Sequence, residues 1–331
     1  MEGIFDYGDG ISAIDALYDG HATQTAVHIM VESGRAAVID TGTSYAVPRV
    51  LAALAVRGVP PEAVDYVVLT HVHLDHAGGA GQLIAQCPNA VLTVHPRGRR
   101  HMEDPGRLLA ATVSIYGEAA TRRVYGEVLP VPAGRVVETC EGSVVSLAGR
   151  ELAFLDAPGH ARHHIVLHDS KTGHIFAGDS FGLSYRALDR DGKQFVFPTT
   201  SPSQFDPAAL HDSIERMLAL RPEAVYVTHF GRIADPRRLG DDLHRLIDSL
   251  AQMAWSRRSE GSMRHTRLVD GVRDILLDEA VRQRWSLTKE GVIRVFEFDI
   301  ELNAQGLATW LDASAAHQVK DPSASARSAP S

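Results

Sequence analysis

The six residues His71-Val72-His73-Leu74-Asp75-His76 follow directly on the run Asp65–Thr70 (DYVVLT) and lead into Gly78-Gly79. DYVVLT is β-branched and apolar, the pattern of a strand buried on both faces. At the extended end of such a strand, residues two apart point the same way, so His71 and His73 converge. Asp75 and His76 come as the chain turns toward a helix, and the glycine pair lets that turn be tight. Two imidazoles thus face one point, and a carboxylate and an imidazole face a neighbouring one. With 17 His and 25 Asp among 331 residues, three His and one Asp at fixed places within six residues arise by chance roughly three times in a thousand such chains. That is specific enough to read as a metal-ligand cluster rather than a solvated loop.

Around this motif the chain alternates strand and helix. Thr25–Glu32 and Arg35–Asp40 flank Ser33-Gly34 as a hairpin. Val47–Arg57 has apolar residues at helical spacing, Ala80–Cys87 is a short helix, and Ala90–His95 is a strand. Residues 98–126 read as helical, interrupted at Asp104-Pro105-Gly106. Short strands then recur at Val136–Glu138, Ser143–Leu147, Glu151–Asp156, His164–His168 and His174–Ala177, with turn residues between them. The helix Pro207–Leu220 and the strand Ala224–Thr228 close a second sheet-rich pattern. The expected fold class is α/β, a sandwich of two mixed sheets covered by helices, over residues 1–235. Pro236–Ser259, Val269–Arg284 and Asn303–Ala313 read as a helical appendage over 236–312. The Ser/Ala/Pro-rich residues 313–331 read as a disordered tail.

Three further segments each place a ligand type just after a strand. They are Asp156-Ala157-Pro158-Gly159-His160, Phe176-Ala177-Gly178-Asp179-Ser180 and Val227-Thr228-His229-Phe230-Gly231. A sheet presents its strand ends along one edge, so these loops can gather with His71, His73, Asp75 and His76. Together they offer seven N/O ligands, enough for two metal ions and a water.

On these residues the chain resembles the metallo-β-lactamase-fold superfamily, from about Thr25 to Gly231. The HxHxDH motif stands as His71, His73, Asp75 and His76, and the later ligands as His160, Asp179 and His229. The resemblance implies an αββα sandwich with a dinuclear centre. One ion would take His71, His73 and His160, the other Asp75, His76 and His229, with Asp179 and a water or hydroxide bridging. Asp40, in Val38-Ile39-Asp40-Thr41-Gly42, matches an acidic residue at an early strand end and would orient a ligand. A Cys ligand, as in the B1 β-lactamases, is not matched, since Asp179 holds that position. The Glu of flavodiiron proteins is replaced by His73. Zinc is the expected metal, with iron or manganese as alternatives.

Two cations sharing a water make a positioned hydroxide and polarise a carbonyl. The expected reaction is hydrolysis of an ester or thioester of a small-molecule substrate, with Asp75 and Asp179 taking part. No Gly-x-Ser-x-Gly nucleophile is present. The helices after residue 236 resemble those of the glyoxalase II branch and of the quinolone-signal response thioesterases, as a cap over the site. The other use for such an appendage is a homodimer interface. Phe181, Tyr185, Phe195 and Phe197 follow a ligand and are expected to wall the pocket, Tyr185 by hydrogen-bonding an oxyanion. Arg97, Arg99 and Arg100 form a small basic cluster near His95 and His101, a solvated turn or an anion contact. Alternatives on the same motif are a phosphodiesterase, a lactonase, a mononuclear-iron persulfide dioxygenase and a signal-binding protein with little turnover.

Composition narrows the field. The formal charge of −8 argues against nucleic acid as partner. No run approaches the ~20 apolar residues that span a bilayer. The start, MEGIFDYGDG, has no signal-peptide pattern, and Cys87 and Cys140 make no disulfide framework, so the cytoplasm is the expected location.

Overall fold

Along the strand Arg35–Ile39, Ala36 and Val38 point to one face and Ala37 and Ile39 to the other, and all four are buried. A strand apolar on both faces needs a layer on each side. The computed structural model of the chain, which describes residues 3–200 and 204–320, supplies both.

The first sheet has seven strands in sequence order: β1 (Ile4–Gly8), β2 (Ile11–Asp15), β3 (Ala26–Glu32), β4 (Arg35–Ile39), β5 (Val64–Val68), β6 (Val91–Val94) and β7 (Val136–Glu138). β1 to β4 are an antiparallel meander, and β4 to β7 run parallel. The second sheet runs in the order β13-β12-β11-β10-β9-β8, from β8 (Val144–Leu147), β9 (Arg150–Asp156), β10 (Ile165–Asp169), β11 (Ile175–Gly178), β12 (Ala224–Val227) and β13 (Gly231–Ala234). Only β11 and β12 are parallel in it.

Between the sheets, Ile11, Met30, Ala37, Ile39 and Val68 pack against Leu152, Phe154, Ile165, Leu167, Phe176 and Tyr226. The outer face of the first sheet is covered by α1 (Val47–Val56), α2 (Leu74–Ala77) and α3 (Ala80–Gln86). The helices α4 (Pro96–Glu103), α5 (Gly106–Tyr116) and α6 (Glu118–Tyr125) follow. The outer face of the second sheet is covered by α7 (Pro207–Ala219), α8 (Pro236–Ser256), α9 (Arg264–Arg282), α10 (Lys289–Val295) and α11 (Glu297–Lys320). The architecture is the αββα sandwich of two mixed sheets. No helix among the described residues is long and apolar enough to cross a membrane.

Several elements differ from the sequence expectation. The sequence expectation holds no strands before Thr25, yet β1 and β2 form a hairpin there, its turn made by Gly8, Asp9 and Gly10, all at positive φ. Residues 98–126 are three helices, broken at Asp104 and again at Gly117 (φ 80°). β13 and α10 were not anticipated. α11 begins at Glu297 rather than Asn303 and continues through the segment read as tail as far as Lys320. The Ala-rich stretch there favours helix over disorder. The rest of that tail, 321–331, lies outside the described residues. The four helices α8–α11 share one continuous core with the second sheet.

Candidate metal centre

The strand ends meet because the two sheets are joined at one edge. The Ile165 amide donates to the Thr70 carbonyl (2.8 Å), and the Ala26 amide donates to the Thr228 carbonyl (2.7 Å). The C-terminal ends of β4, β5, β9, β11 and β12 open at this edge. They carry Asp40, His71, His160, Asp179 and His229.

Three imidazoles form one half of the site. His71 Nε2 lies 2.8 Å from His73 Nδ1, and His73 Nδ1 lies 3.1 Å from His160 Nε2. Ligands at ~2.0–2.1 Å in tetrahedral array stand about 3.3 Å apart, so the three nitrogens are close to ligating separation. His160 Nδ1 donates to the Thr199 carbonyl (3.0 Å), which leaves Nε2 as the lone pair facing inward. Burial, reinforced by neighbouring imidazoles, holds His71 and His73 well below the ordinary histidine range. Burial also lowers His160, partly offset by Asp179. All three are therefore neutral donors at physiological pH.

The other half is rich in carboxylate. His76 Nε2 lies 3.5 Å from Asp75 Oδ2 and 3.2 Å from Asp179 Oδ1. His229 Nε2 lies 3.3 Å from Asp75 Oδ2 and 3.5 Å from Asp179 Oδ1. Asp179 also reaches the first half, with Oδ2 3.4 Å from His160 Nε2. Burial opposes charging of His76 and His229. The carboxylates outweigh it, raising His76 well above its usual range and His229 to about 9. Burial likewise opposes ionisation of Asp75 and Asp179, and the facing imidazoles hold both below the usual carboxylate range.

The residues fit a bound cation. His76 Nε2 and Asp179 Oδ1 are both buried and face each other at 3.2 Å, an ion pair without good hydrogen-bond geometry. Buried polar atoms whose hydrogen bonds are poorly made are costly in a protein interior, and a cation that displaced the His76 proton would be held by both. Three mutually close ligand groups occur here: His71/His73/His160, His71/His76/Asp179 and Asp75/His76/His229. All seven ligand candidates from the sequence are thus brought together.

Asp40 sits behind them, buried and in the left-handed region (φ 58°). Its carboxylate accepts from His76 Nδ1 (2.8 Å), the Thr70 amide (2.9 Å) and the Thr70 and Thr228 hydroxyls (3.0 and 2.9 Å). By accepting from Nδ1 it turns His76 Nε2 toward Asp75 and Asp179. Thr70, which the sequence reading passed over, also lies 3.2 Å from His71 Nδ1. His229 Nδ1 donates to the Gln24 carbonyl (2.8 Å). His164 Nε2 accepts the Asp179 amide (3.2 Å). Gly178, at φ +50°, has no room for a Cβ, which would fall 2.6 Å from Thr70 Oγ1. Gly78 and Gly79 work by close approach and not by unusual dihedrals: both have ordinary φ, and a Cβ on Gly79 would strike Val47 and Thr43.

A cavity of about 250 Å³ opens over the ligands His73, Asp75, His160, Asp179 and His229. One wall is α5, through Leu108, Ala111, Ile115 and Tyr116, and the opposite wall is α11, through Phe298, Asp299, Leu302 and Asn303. Tyr185 lines the cavity as expected, but its hydroxyl donates to the Asp299 carboxylate (3.0 Å to Oδ2), so it is committed there and not to an oxyanion. Phe181, Phe195 and Phe197 do not wall the cavity. They are at most 1% exposed and belong to the core, where Phe195 meets Trp285 (4.7 Å between centroids) and Phe197 meets Phe296 (6.0 Å). The loop that carries them folds back through the turn Arg186–Leu188 and the Leu183–Phe197 bridge, which puts their rings in the helical layer and not over the ligands. Arg97, Arg99, Arg100 and His101 line a separate outer recess with Arg162, His163 and Gln204, and Arg99 is paired with Glu103.

The sequence pattern described as the metallo-beta-lactamase superfamily matches residues 22–229, a span that ends on the last ligand. A metallo-beta-lactamase fold-containing protein of Sulfurisphaera tokodaii is 28% identical over 195 residues, 56% of this chain and 67% of that protein. Its solved structure superimposes with a TM-score of 0.58, covering 87% of this chain and 99% of that one. A hydroxyacylglutathione hydrolase of Synechococcus sp. is 31% identical over 149 residues, 45% of each chain. An acyl-coenzyme A thioesterase of Gallus gallus is 28% identical over 176 residues, 52% of this chain and 63% of that one. The match spans less than two thirds of the last two relatives.

Proposed function

This chain belongs to the metallo-beta-lactamase superfamily, and from that premise we propose that it is a dinuclear metal hydrolase acting on an ester or thioester of an apolar acyl compound. His71, His73 and His160 would hold one ion, and Asp75, His76 and His229 the other, with Asp179 between them. Zinc suits the nitrogen-rich donor set. The observation that carries this reading is the buried pair His76 Nε2 and Asp179 Oδ1, 3.2 Å apart without good hydrogen-bond geometry, at the junction of the ligand groups. Bound there, two divalent ions supply an acidified water and a Lewis acid for a carbonyl.

The remaining work falls to the chain's own side chains. Asp40 and the Thr199 and Gln24 carbonyls accept from Nδ1 of His76, His160 and His229, which turns their Nε2 atoms inward to the candidate ligand groups. Asp75 and Asp179, both lining the cavity, are placed to accept the proton of a nucleophilic water. The walls from α5 and α11 hold an apolar acyl group and keep bulk water off the reacting carbonyl. The hydrolase and thioesterase names of two relatives point the same way.

The test is elemental analysis of the purified protein coupled to hydrolysis assays on an ester, a thioester, a lactone and a phosphodiester. We expect two zinc ions per chain and carbonyl substrates cleaved well ahead of the phosphodiester. One iron per chain with oxygen consumption, or metal-loaded protein that cleaves none of the four, overturns the proposal.

A further inference from the structure

The cavity holds a carboxylate that the metal centre does not use. Asp299 lies in the first turn of α11, outside the span that matches the superfamily. It faces the same cavity as Asp75, Asp179 and His229. Its carboxyl accepts from the Tyr185 hydroxyl, 3.0 Å to Oδ2 and 3.2 Å to Oδ1, and forms no ion pair with Lys or Arg among the described residues. A carboxylate has about four lone-pair sites, and Tyr185 occupies only part of them.

The position is built rather than incidental. One turn along the helix, Asn303 Nδ2 donates to the Asp299 carbonyl (2.8 Å), while Asn303 Oδ1 accepts from the Thr200 amide and hydroxyl (2.9 Å each). The neighbouring Thr199 carbonyl holds the ligand His160 (3.0 Å). The segment 199–200 therefore ties α11 and its carboxylate to the metal half in a fixed relation. Among the described residues that line the cavity there is no Lys and no Arg. The lining is mostly apolar, with hydroxyls of Tyr18, Tyr116, Tyr125 and Thr112 elsewhere on it; its one carboxylate outside the candidate ligands is in the corner where Tyr185, Thr200, Asn303 and Asp299 gather.

We propose that Asp299 sets the substrate class of the cavity: it accepts a hydrogen bond from an N–H, O–H or ammonium group on an otherwise apolar acyl moiety, and it excludes acyl moieties that end in an anion. This rests on the hydrolase reading above. A carboxylate paired with no Lys or Arg, whose cationic neighbour in the cavity is the candidate ligand His229, attracts a donor and repels a second negative charge, and both effects strengthen where water is scarce. A site built to hydrogen-bond a polar group also discriminates against an analogue lacking it far better than an apolar pocket discriminates by size.

Four 4-nitrophenyl benzoates test this on the metal-loaded protein. Their para substituents are aminomethyl, hydroxymethyl, methyl and carboxylate, and each kcat/KM is divided by the ester's spontaneous hydrolysis rate. The wild-type protein should favour aminomethyl and hydroxymethyl over methyl by about 10- to 100-fold and disfavour the carboxylate by a similar factor. In Asp299→Ala both ratios should collapse toward one. In Asp299→Asn, which keeps an acceptor but loses the charge, the hydroxymethyl preference should outlast the aminomethyl one. The ratios are taken within each variant, so a general loss of activity or stability cannot imitate the result. If the wild type cleaves all four equally, or the ratios are unchanged in Asp299→Ala, the inference is wrong and the hydrolase reading stands. If none is cleaved by protein carrying two metal ions, the hydrolase reading falls and the inference falls with it.

Discussion

The two halves of the candidate metal centre share a floor but differ in their protons. His71 and His73 are pressed neutral by burial and by neighbouring imidazoles, and His160 by burial against the pull of Asp179. Barely one side chain away, His76 and His229 are held cationic by Asp75 and Asp179. The first half presents lone pairs ready for a metal ion, whereas the second must give up protons to receive one. This difference follows from placing both carboxylates on one side, and it makes the halves separable by pH. Ligand removal gives the largest effect. His160→Ala and His229→Ala should each lower kcat/KM by about three orders of magnitude and take the metal content from two ions toward one. The ion left in His229→Ala sits among neutral imidazoles, so its affinity should be flat between pH 7 and 9. The ion left in His160→Ala must displace protons and should gain about tenfold per pH unit for each one released. Equal pH profiles, measured by competition with a chelator, would erase the distinction.

Asp40 sharpens the comparison because its direct hydrogen bond to a candidate ligand is on one half. It accepts from His76 Nδ1 (2.8 Å) and reaches His71 through the Thr70 hydroxyl, which lies 3.2 Å from His71 Nδ1. Asp40→Asn keeps the shape and the acceptor for Thr70 but removes the charge behind His76. Affinity for the ion of the carboxylate half should drop by about 10- to 100-fold, with the three-imidazole half little changed. A matching loss at both ions would mean that Asp40 supports the whole edge through Thr70 and Thr228 rather than one ligand.

The metal floor was legible in the sequence and the cavity above it was not, for one physical reason. Each ligand follows a strand within a few residues, and the strand ends of both sheets open at the edge where the Ile165–Thr70 and Ala26–Thr228 hydrogen bonds join them. Sequence adjacency and spatial adjacency therefore agree for His71, Asp179 and His229. The walls come from α5 and α11, far from the ligands along the chain. Leu108, Ile115 and Leu302 are apolar residues at helical spacing, and nothing local tells a cavity wall from a core face. Phe195 and Phe197 show the converse: close to a ligand in sequence, they are turned into the helical layer by packing on Trp285 and Phe296. The pair Asp299 and Asn303, four apart on one helix face, was the available signal for the polar corner, but only the fold shows which cavity that face meets.

The smallest effect tests the proton asymmetry without any substitution, through the stability of chain stripped of metal by a chelator. His229, raised to about 9 in the folded state, binds its proton more tightly there than in the unfolded chain. Its contribution is fully present below pH 6.5 and is lost as pH rises toward 9. His28, lowered to about 4 by burial, and His163, lowered to about 3, act oppositely. The unfolded chain takes up their protons first, so stability drops as pH falls below 6.5. Each imbalance is worth about 1 kcal/mol per pH unit for each imidazole. Denaturant titrations should therefore give a maximum near pH 6.5 with a decline on both sides. Restoring zinc should reverse the alkaline arm alone, because metal competes with the proton at His76 and His229 and gains as pH rises. An alkaline arm that rises in the stripped chain would show that Asp75 and Asp179 do not hold those two imidazoles charged, and the contrast between the halves would be lost.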